Sequence, residues 1–340
     1  MKMRDVAKYA GVSVATVSRV LKGDDNVRQL TKEKVLKAVE ELNYVPNTLA
    51  RNLSNMQSKK ILVVVPRVSN AVFSSIYHGI QNVVNEKGYQ VILIETFNRR
   101  DSSVPELIRD RTVEGAILLS AMMSEEEFAE KFKGLPVVLA TDNLRERIQS
   151  TPSVSIDNVL AAEKAVHYLA NLGHRCIAFL GSRSDSIGAR ERLEGYKNGL
   201  HQHGLKVDES LIFEGEWSLE SGYHLANQML FQKKLPTAIF AASDNLAIGA
   251  ISALSEQGVR IPEDISIVGF DNIAVSEYLT PALTTIEQPS VQIGEKAADM
   301  LLTILDHQLL EQMHVELNSK LIIRNSCRRM KYLERGDEPK

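Results

Sequence analysis

The sequence predicts two folds in one chain: a small all-α head built on a helix-turn-helix, followed by a two-lobed α/β body with parallel sheets. Three observations carry this expectation. Residues Met3 to Leu21 read as helix, glycine turn, second helix. From Ile61 onward, short apolar runs alternate with amphipathic helical patterns. Charge divides along the same line, with 12 Lys/Arg against 6 Asp/Glu in residues 1–60 (net +6) and 28 against 37 beyond (net −9). A basic head on an acidic body implies that only the head meets a polyanion.

In the head, Met3, Val6, Ala7 and Ala10 share one helical face. Gly11 follows where a left-handed turn residue is wanted, because glycine has no Cβ to clash. Ser13 suits the N-cap of a helix from Val14 to Leu21. Thr31 is the expected cap of a third helix, with Glu33 in its first turn and Val35, Val39 and Leu42 on one face. Asn43 reads as a helix stop. Pro46 restarts the chain, and Asn47 can cap a short helix of about two turns ending near Leu53. Residues 54–60 are polar and read as a linker.

In the body the expected strands are Ile61–Val65, Val91–Ile94, Ala116–Leu119, Val137–Ala140, Cys176–Leu180, Ala238–Ala241 and Ile265–Val268. Expected helices lie near 74–87, 124–132, 159–171, 190–203, 219–231 and 245–256. Strands that are apolar throughout are buried on both faces, as in parallel sheets. About 280 residues of this pattern suits two lobes with a cleft between them, and ligands in such folds sit outside the carboxyl ends of strands.

Composition narrows the function classes. Hydrophobic residues at 44% and charged residues at 24% are ordinary for a globular protein. Cys176 and Cys327 are the only cysteines, so no disulfide framework or cysteine-based zinc site is implied. No apolar signal-peptide core opens the chain, and the run Ile61 to Pro66 is too short to span a bilayer. The expected compartment is therefore the reducing cytoplasm, at the nucleoid when DNA-bound. No metal, cofactor or enzyme motif is found: the eight His are scattered, and GxSxG, GxxxxGK[ST] and post-strand GxGxxG patterns are lacking. The acidic run 124–130 reads as the first turn of a solvated helix.

Several ordered motifs resemble the LacI/GalR (lactose-repressor/galactose-repressor) family of bacterial transcription regulators. They are Asp5-Val-Ala to Gly11-Val-Ser, Thr16-Val-Ser-Arg19, Tyr44-Val-Pro-Asn47, Ala50-Arg-Asn-Leu53, Gly173-His-Arg, Arg192-Leu-Glu-Gly-Tyr196, Ser243 to Gly249, Val268-Gly-Phe-Asp271 and Leu283 to Gln288. The resemblance implies a headpiece at 1–46, a hinge helix and linker at 47–58, and a periplasmic-binding-protein-like effector and dimerisation domain at 59–340. Its N-lobe would take about 59–158 plus 290–318, and its C-lobe about 159–289 plus 319–330. It implies a dimeric repressor bound to a pseudopalindromic double-stranded operator and controlled by a sugar, sugar derivative or nucleoside. The competing reading is a binding protein or sugar-processing enzyme with an appended headpiece.

By resemblance, the DNA-binding residues are Val14, Ala15, Thr16, Ser18, Arg19, Asn26, Tyr44, Asn47, Ala50 and Leu53. Arg19 can pair with a guanine, Val14 and Ala15 offer apolar contact, and Leu53 wedges into the base stack. Val14 has an alternative place in the headpiece core. The implied effector residues are Ser69, Asn70, Val72, Phe73, Arg192, Trp217, Ser243, Asp244, Asp271 and Gln288. Asp244 is read either as a pocket residue or as a helix N-cap, Arg192 alternatively as a surface ion pair, and Trp217 as core. Two departures stand out. Many relatives carry Asp and Pro where this chain has Arg67 and Ala71, and Thr141 takes the place of a cleft acid, with Asp142 one later. The polar tail 328–340 lacks leucine heptads, so a homodimer rather than a coiled-coil tetramer is expected.

Overall fold

The computed structural model describes residues 2–21, 24, 26–44, 58–96, 103–120, 125–141, 151–183, 186–232 and 235–330. The expected hinge helix, with Asn47, Ala50 and Leu53, lies outside the described residues, as do Ser124, Asp142 and the tail beyond 330. The chain divides into two compact units, 1–58 and 59–340.

The first unit packs α1 (Met3–Ala10), α2 (Val14–Leu21) and α3 (Gln29–Glu41) around Val6, Val17, Val20, Val35, Ala38 and Tyr44. Gly11 adopts φ 65°, the left-handed conformation a side chain resists, and its N–H closes α1 on Ala7 O. The Ser13 hydroxyl accepts from Thr16 N at 3.1 Å, so the expected cap forms. The cap expected at Thr31 does not: the N-cap of α3 is Arg28, three residues earlier, and Thr31 N bonds Arg28 O inside the first turn. Asn43 has φ 44°, which stops α3.

The second unit holds two six-stranded sheets among the described residues. One contains β1 (Lys60–Val65), β2 (Gln90–Glu95), β3 (Gly115–Leu118), β4 (Val137–Ala140), β5 (Ser153–Ile156) and β11 (His314–Leu317) in the order β11-β5-β4-β3-β1-β2. All its neighbours are parallel. The other contains β6 (Ile177–Ser182), β7 (Ile212–Gly215), β8 (Ala238–Ala241), β9 (Ser266–Asp271), β10 (Thr284–Glu287) and β12 (Lys320–Ile322) in the order β12-β10-β9-β8-β6-β7. Only β12 runs antiparallel to its neighbour.

Helices α4 (Ala71–Glu86), α5 (Val104–Arg109), α6 (Glu125–Lys131) and α11 (Ser290–Leu305) go with the first sheet. Helices α7 (Asn158–Asn171), α8 (Ile187–Gln202), α9 (Leu219–Leu230) and α10 (Asp244–Glu256) go with the second. The chain therefore crosses between lobes three times, at β5 to α7, β10 to α11 and β11 to β12. Helix pairs meet backbone to backbone through glycine. A Cβ on Gly294 of α11 would run into Ile76 O of α4, and one on Gly222 of α9 into Leu246 O of α10. Among the described residues no helix is long and apolar enough to cross a membrane.

Candidate functional site

Two sites take shape. On the headpiece, α2 is two-faced: Val17 and Val20 turn into the core, while Val14 (41% exposed), Ala15 and Arg19 face solvent. Val14 is thus not a core residue. Thr16 and Ser18 are half-buried, and Asn26 is exposed in the turn before α3. Tyr44 packs its ring against the headpiece core and is only 7% exposed.

In the body a cavity of about 410 Å³ opens between the lobes. Its lining residues cluster where strands end: Pro66 follows β1, Ser120 follows β3, Thr141 follows β4, Glu216 follows β7 and Asp271 ends β9. Four helices also begin at the cavity, and each start is capped by a lining side chain. Asn70 accepts from Val72 N, Ser186 from Ala189 N, Ser218 from Ser221 N and Ser243 from Leu246 N. The cavity thus gathers the positive ends of helix dipoles, a setting that favours electron-rich ligand groups.

Arg192, on α8, is the best-fixed polar group of the cavity. Its Nε donates to Asn158 Oδ1 at 3.1 Å, and its Nη1 donates to Ala242 O at 2.7 Å and to Asp271 Oδ1 at 3.4 Å. The guanidinium lies 3.7 Å from the centroid of Phe270 and 5.5 Å from that of Trp217. Burial pulls its pKa down, and the charge of Asp271 opposes that pull. The side chain is 11% exposed, so Arg192 is not the surface ion pair that the sequence left open.

Asp271 has φ 115°, a left-handed conformation that costs a non-glycine residue roughly 1–3 kcal/mol. It is held there by Gln288 Nε2, which donates to its Oδ1 at 2.6 Å, and by Arg192. Burial pushes its carboxyl up to about 6, offset in part by the Arg192 charge and the Gln288 hydrogen bond.

Asn70, Val72, Phe73, Arg192, Trp217, Ser243, Asp271 and Gln288 are brought together as lining residues. Trp217 is partly buried, lining the cavity and also packing against the core. Ser69 and Asp244 do not line the cavity. Ser69 lies in an exposed turn. Asp244 is fully buried, accepting from Ile273 N, Ser276 Oγ and Thr285 Oγ1. Nor is it the cap of α10, since Ser243 fills that position. Burial, then the neighbouring Asp271 charge, pushes the Asp244 carboxyl up to about 7.

Sequence reasoning missed Asn158, which receives Arg192 and donates to Glu191 Oε2 at 2.9 Å. It also missed Ser186, Glu216, Ser218 and Glu220. The capping serines carried a readable local signal; Asn158 and the two glutamates become cavity residues only through long-range folding.

Comparison with known proteins identifies both units. Residues 2–47 match the family described as bacterial regulatory proteins, lacI family, and residues 166–327 match a periplasmic binding protein-like domain. The chain is 36% identical over 328 residues to the HTH-type transcriptional repressor CytR of Escherichia coli (strain K12), covering 96% of each chain. Among solved structures, it is similar to the Lac repressor dimer bound to operator and the anti-inducer ONPF, with TM-score 0.85 and 30% identity over 96% of this chain and 99% of that one. It is also similar to the transcriptional regulator CelR in complex with cellobiose, with TM-score 0.72 and 29% identity over 96% and 99%. With a helix-turn-helix head and an effector-domain cavity in place, the chain belongs to the lacI family and is a DNA-binding transcriptional regulator rather than an enzyme.

Proposed function

We propose that this regulator is a cytoplasmic repressor that binds a pseudopalindromic operator as a homodimer and responds to a neutral polyhydroxylated effector, a sugar, sugar derivative or nucleoside. The observation that carries the effector class is the fixed Arg192. Its Nε and Nη1 are engaged by the protein, while its Nη2 makes no hydrogen bond among the described residues. A planar donor fork beside a carboxylate, Asp271, matches adjacent hydroxyls, with Trp217 and Phe73 as apolar surfaces for a ring. Among the described residues the ionised lining groups are Arg67 and Arg192 against Glu216, Glu220 and Asp271, a balance that disfavours a phosphorylated ligand.

On the DNA side, α2 presents Val14, Ala15 and Arg19, with Thr16, Ser18 and Asn26 at its margins. The recognition helix enters the major groove, and Arg19 supplies the main base contact. Domain limits of 1–46, 47–58 and 59–340 follow from this reading. The segment Asn47 to Leu53 is then a hinge helix, ordered on DNA, with Ala50 and Leu53 toward the minor groove. Effector binding shifts the population of lobe angles, and linkage requires the operator to change effector affinity by the same factor.

A thermal-shift screen of pentoses, hexoses, nucleosides and sugar phosphates tests the effector class, since a ligand of the folded state raises its melting temperature. Stabilisation by a sugar phosphate alone would overturn it. For the hinge, Leu53→Ala is expected to weaken operator binding far more than non-specific binding, which is mostly phosphate electrostatics. Equal losses would remove the wedge role.

A further inference from the structure

Arg67 sits in the loop between β1 and α4, on the N-lobe side of the cavity, and its side chain is exposed. The loop is held in shape: Val68 N donates to Glu95 Oε1 at 3.0 Å, and Asn70 N donates to Arg67 O at 3.2 Å. Glu220, the second residue of α9, lines the same cavity from the C-lobe and is also exposed. The α9 start is tied down as well, since Ser221 N donates to Ser218 Oγ and Glu216 N donates to Ser221 Oγ. Hydrogen bonds from its own backbone and from Ser218 hold the Glu220 carboxyl below the usual range, and the Arg67 charge, reaching across the cleft, adds to that pull. Among the described residues, Glu216 also lines that side, and the His224 charge also acts on Glu220. The lobes already touch through Ile187, the first residue of α8, which packs against the N-lobe cluster of Leu62, Val64 and Leu118.

We propose that Arg67 and Glu220 act as an electrostatic latch across the cleft mouth, drawing the two lobes toward the closed arrangement. An acid at position 67 would repel Glu220 as the lobes approach and oppose closure, whereas Arg67 reverses the sign of that interaction. Because both groups are solvent-exposed, the latch is modest and salt-sensitive, and it biases the lobe angle without locking it. Its consequence for gene control rests on the reading that lobe angle sets operator affinity.

Trp217 is the only tryptophan in the chain and lines this cavity, so its quenching by acrylamide reports how open the cleft is. The test compares the wild type with Arg67→Glu, Glu220→Arg and the double swap at about 20 mM and about 500 mM NaCl, which bracket weak and strong screening. At low salt each single variant is expected to lower the closed-to-open ratio by about two- to fivefold, raising the quenching, and the double swap to restore it. In the wild type, added salt is expected to raise quenching toward the single-variant level. Single variants that quench like the wild type at both salts, or a double swap that restores nothing, overturn the latch. If the quenching cycle closes as expected but operator affinity is the same in all four proteins, the latch stands and lobe angle is not what controls the DNA.

Discussion

Replacing Arg192 by methionine keeps most of the aliphatic stem and removes every polar contact of the guanidinium. Ala242 O and Asn158 Oδ1 lose their donors, and Asp271, 9% exposed, loses its cation. Breaking a buried ion pair from one side costs about 3–5 kcal/mol, because a charge stays behind unpaired. Burial has already raised the Asp271 carboxyl to about 6 with Arg192 present, and removing the cation raises it further. A raised folded-state carboxyl contributes stability that is complete below the unfolded pKa and is lost as pH rises through the folded one. The penalty in Arg192→Met is therefore expected in full near pH 8 and to shrink toward pH 5, each unit of relief being worth about 1.4 kcal/mol at most. Arg192→Met/Asp271→Asn should recover a large part of the loss at pH 8, since Gln288 can still donate to the asparagine oxygen. Urea unfolding followed by Trp217 fluorescence, at both pH values, measures all three proteins. A loss below about 1 kcal/mol at pH 8, or a double variant no more stable than the single, would refute the reasoning.

Other outcomes can be checked in the same way. Asp244, raised from 3.8 to about 7, should make the wild type lose stability between pH 4 and pH 7; Asp244→Asn should flatten that slope in melting curves, and an unchanged slope would sink the assignment. Gly294→Ala places a Cβ against Ile76 O and should cost roughly 1–3 kcal/mol or more, whereas Gly88→Ala, at φ 72° with open space around it, should cost only about 1 kcal/mol of backbone strain. Equal destabilisation of the two would contradict the close helix crossing. Arg19→Ala should lower operator affinity by about 1–3 kcal/mol in a fluorescence-anisotropy titration while leaving the body's melting temperature unchanged. An operator affinity equal to wild type would remove Arg19 from the reading face.

Much of this architecture was legible because local chemistry and global role coincide. Ser13 caps α2 as its sequence position suggests, and strands such as β4 and β8, apolar from end to end, are buried from end to end. Strand β5 was not legible, because its Ser153 and Ser155 look solvent-facing but are buried, Ser153 paired with His314 Nδ1. β10 hides in the same way: Thr285 donates to Asp244, 41 residues earlier, and Thr284 accepts from Arg324 N. Helix α11 follows Pro289 without a side-chain cap, so no start signal marks it. For the cavity, Arg192, Asp271 and Gln288 came from resemblance, and Asp244 was misplaced because an acid opening a helix looks the same whether it faces a ligand or a buried threonine. Asn158 and Glu220 needed the fold itself.

The glycine crossings between paired helices have a consequence for how such a regulator can change its diet. Positions like Gly222 and Gly294 admit no side chain at all, so the frame of each lobe is closed to variation. The rim of the cavity is the reverse: Arg67, Glu216 and Glu220 are exposed there, with room for other side chains. Mutational libraries confined to those rim loops should therefore yield many folded proteins with altered ligand preference, while libraries spread along the crossing helices should yield mostly unfolded ones. Tolerance to drift is built into the place where a new metabolite would first be met.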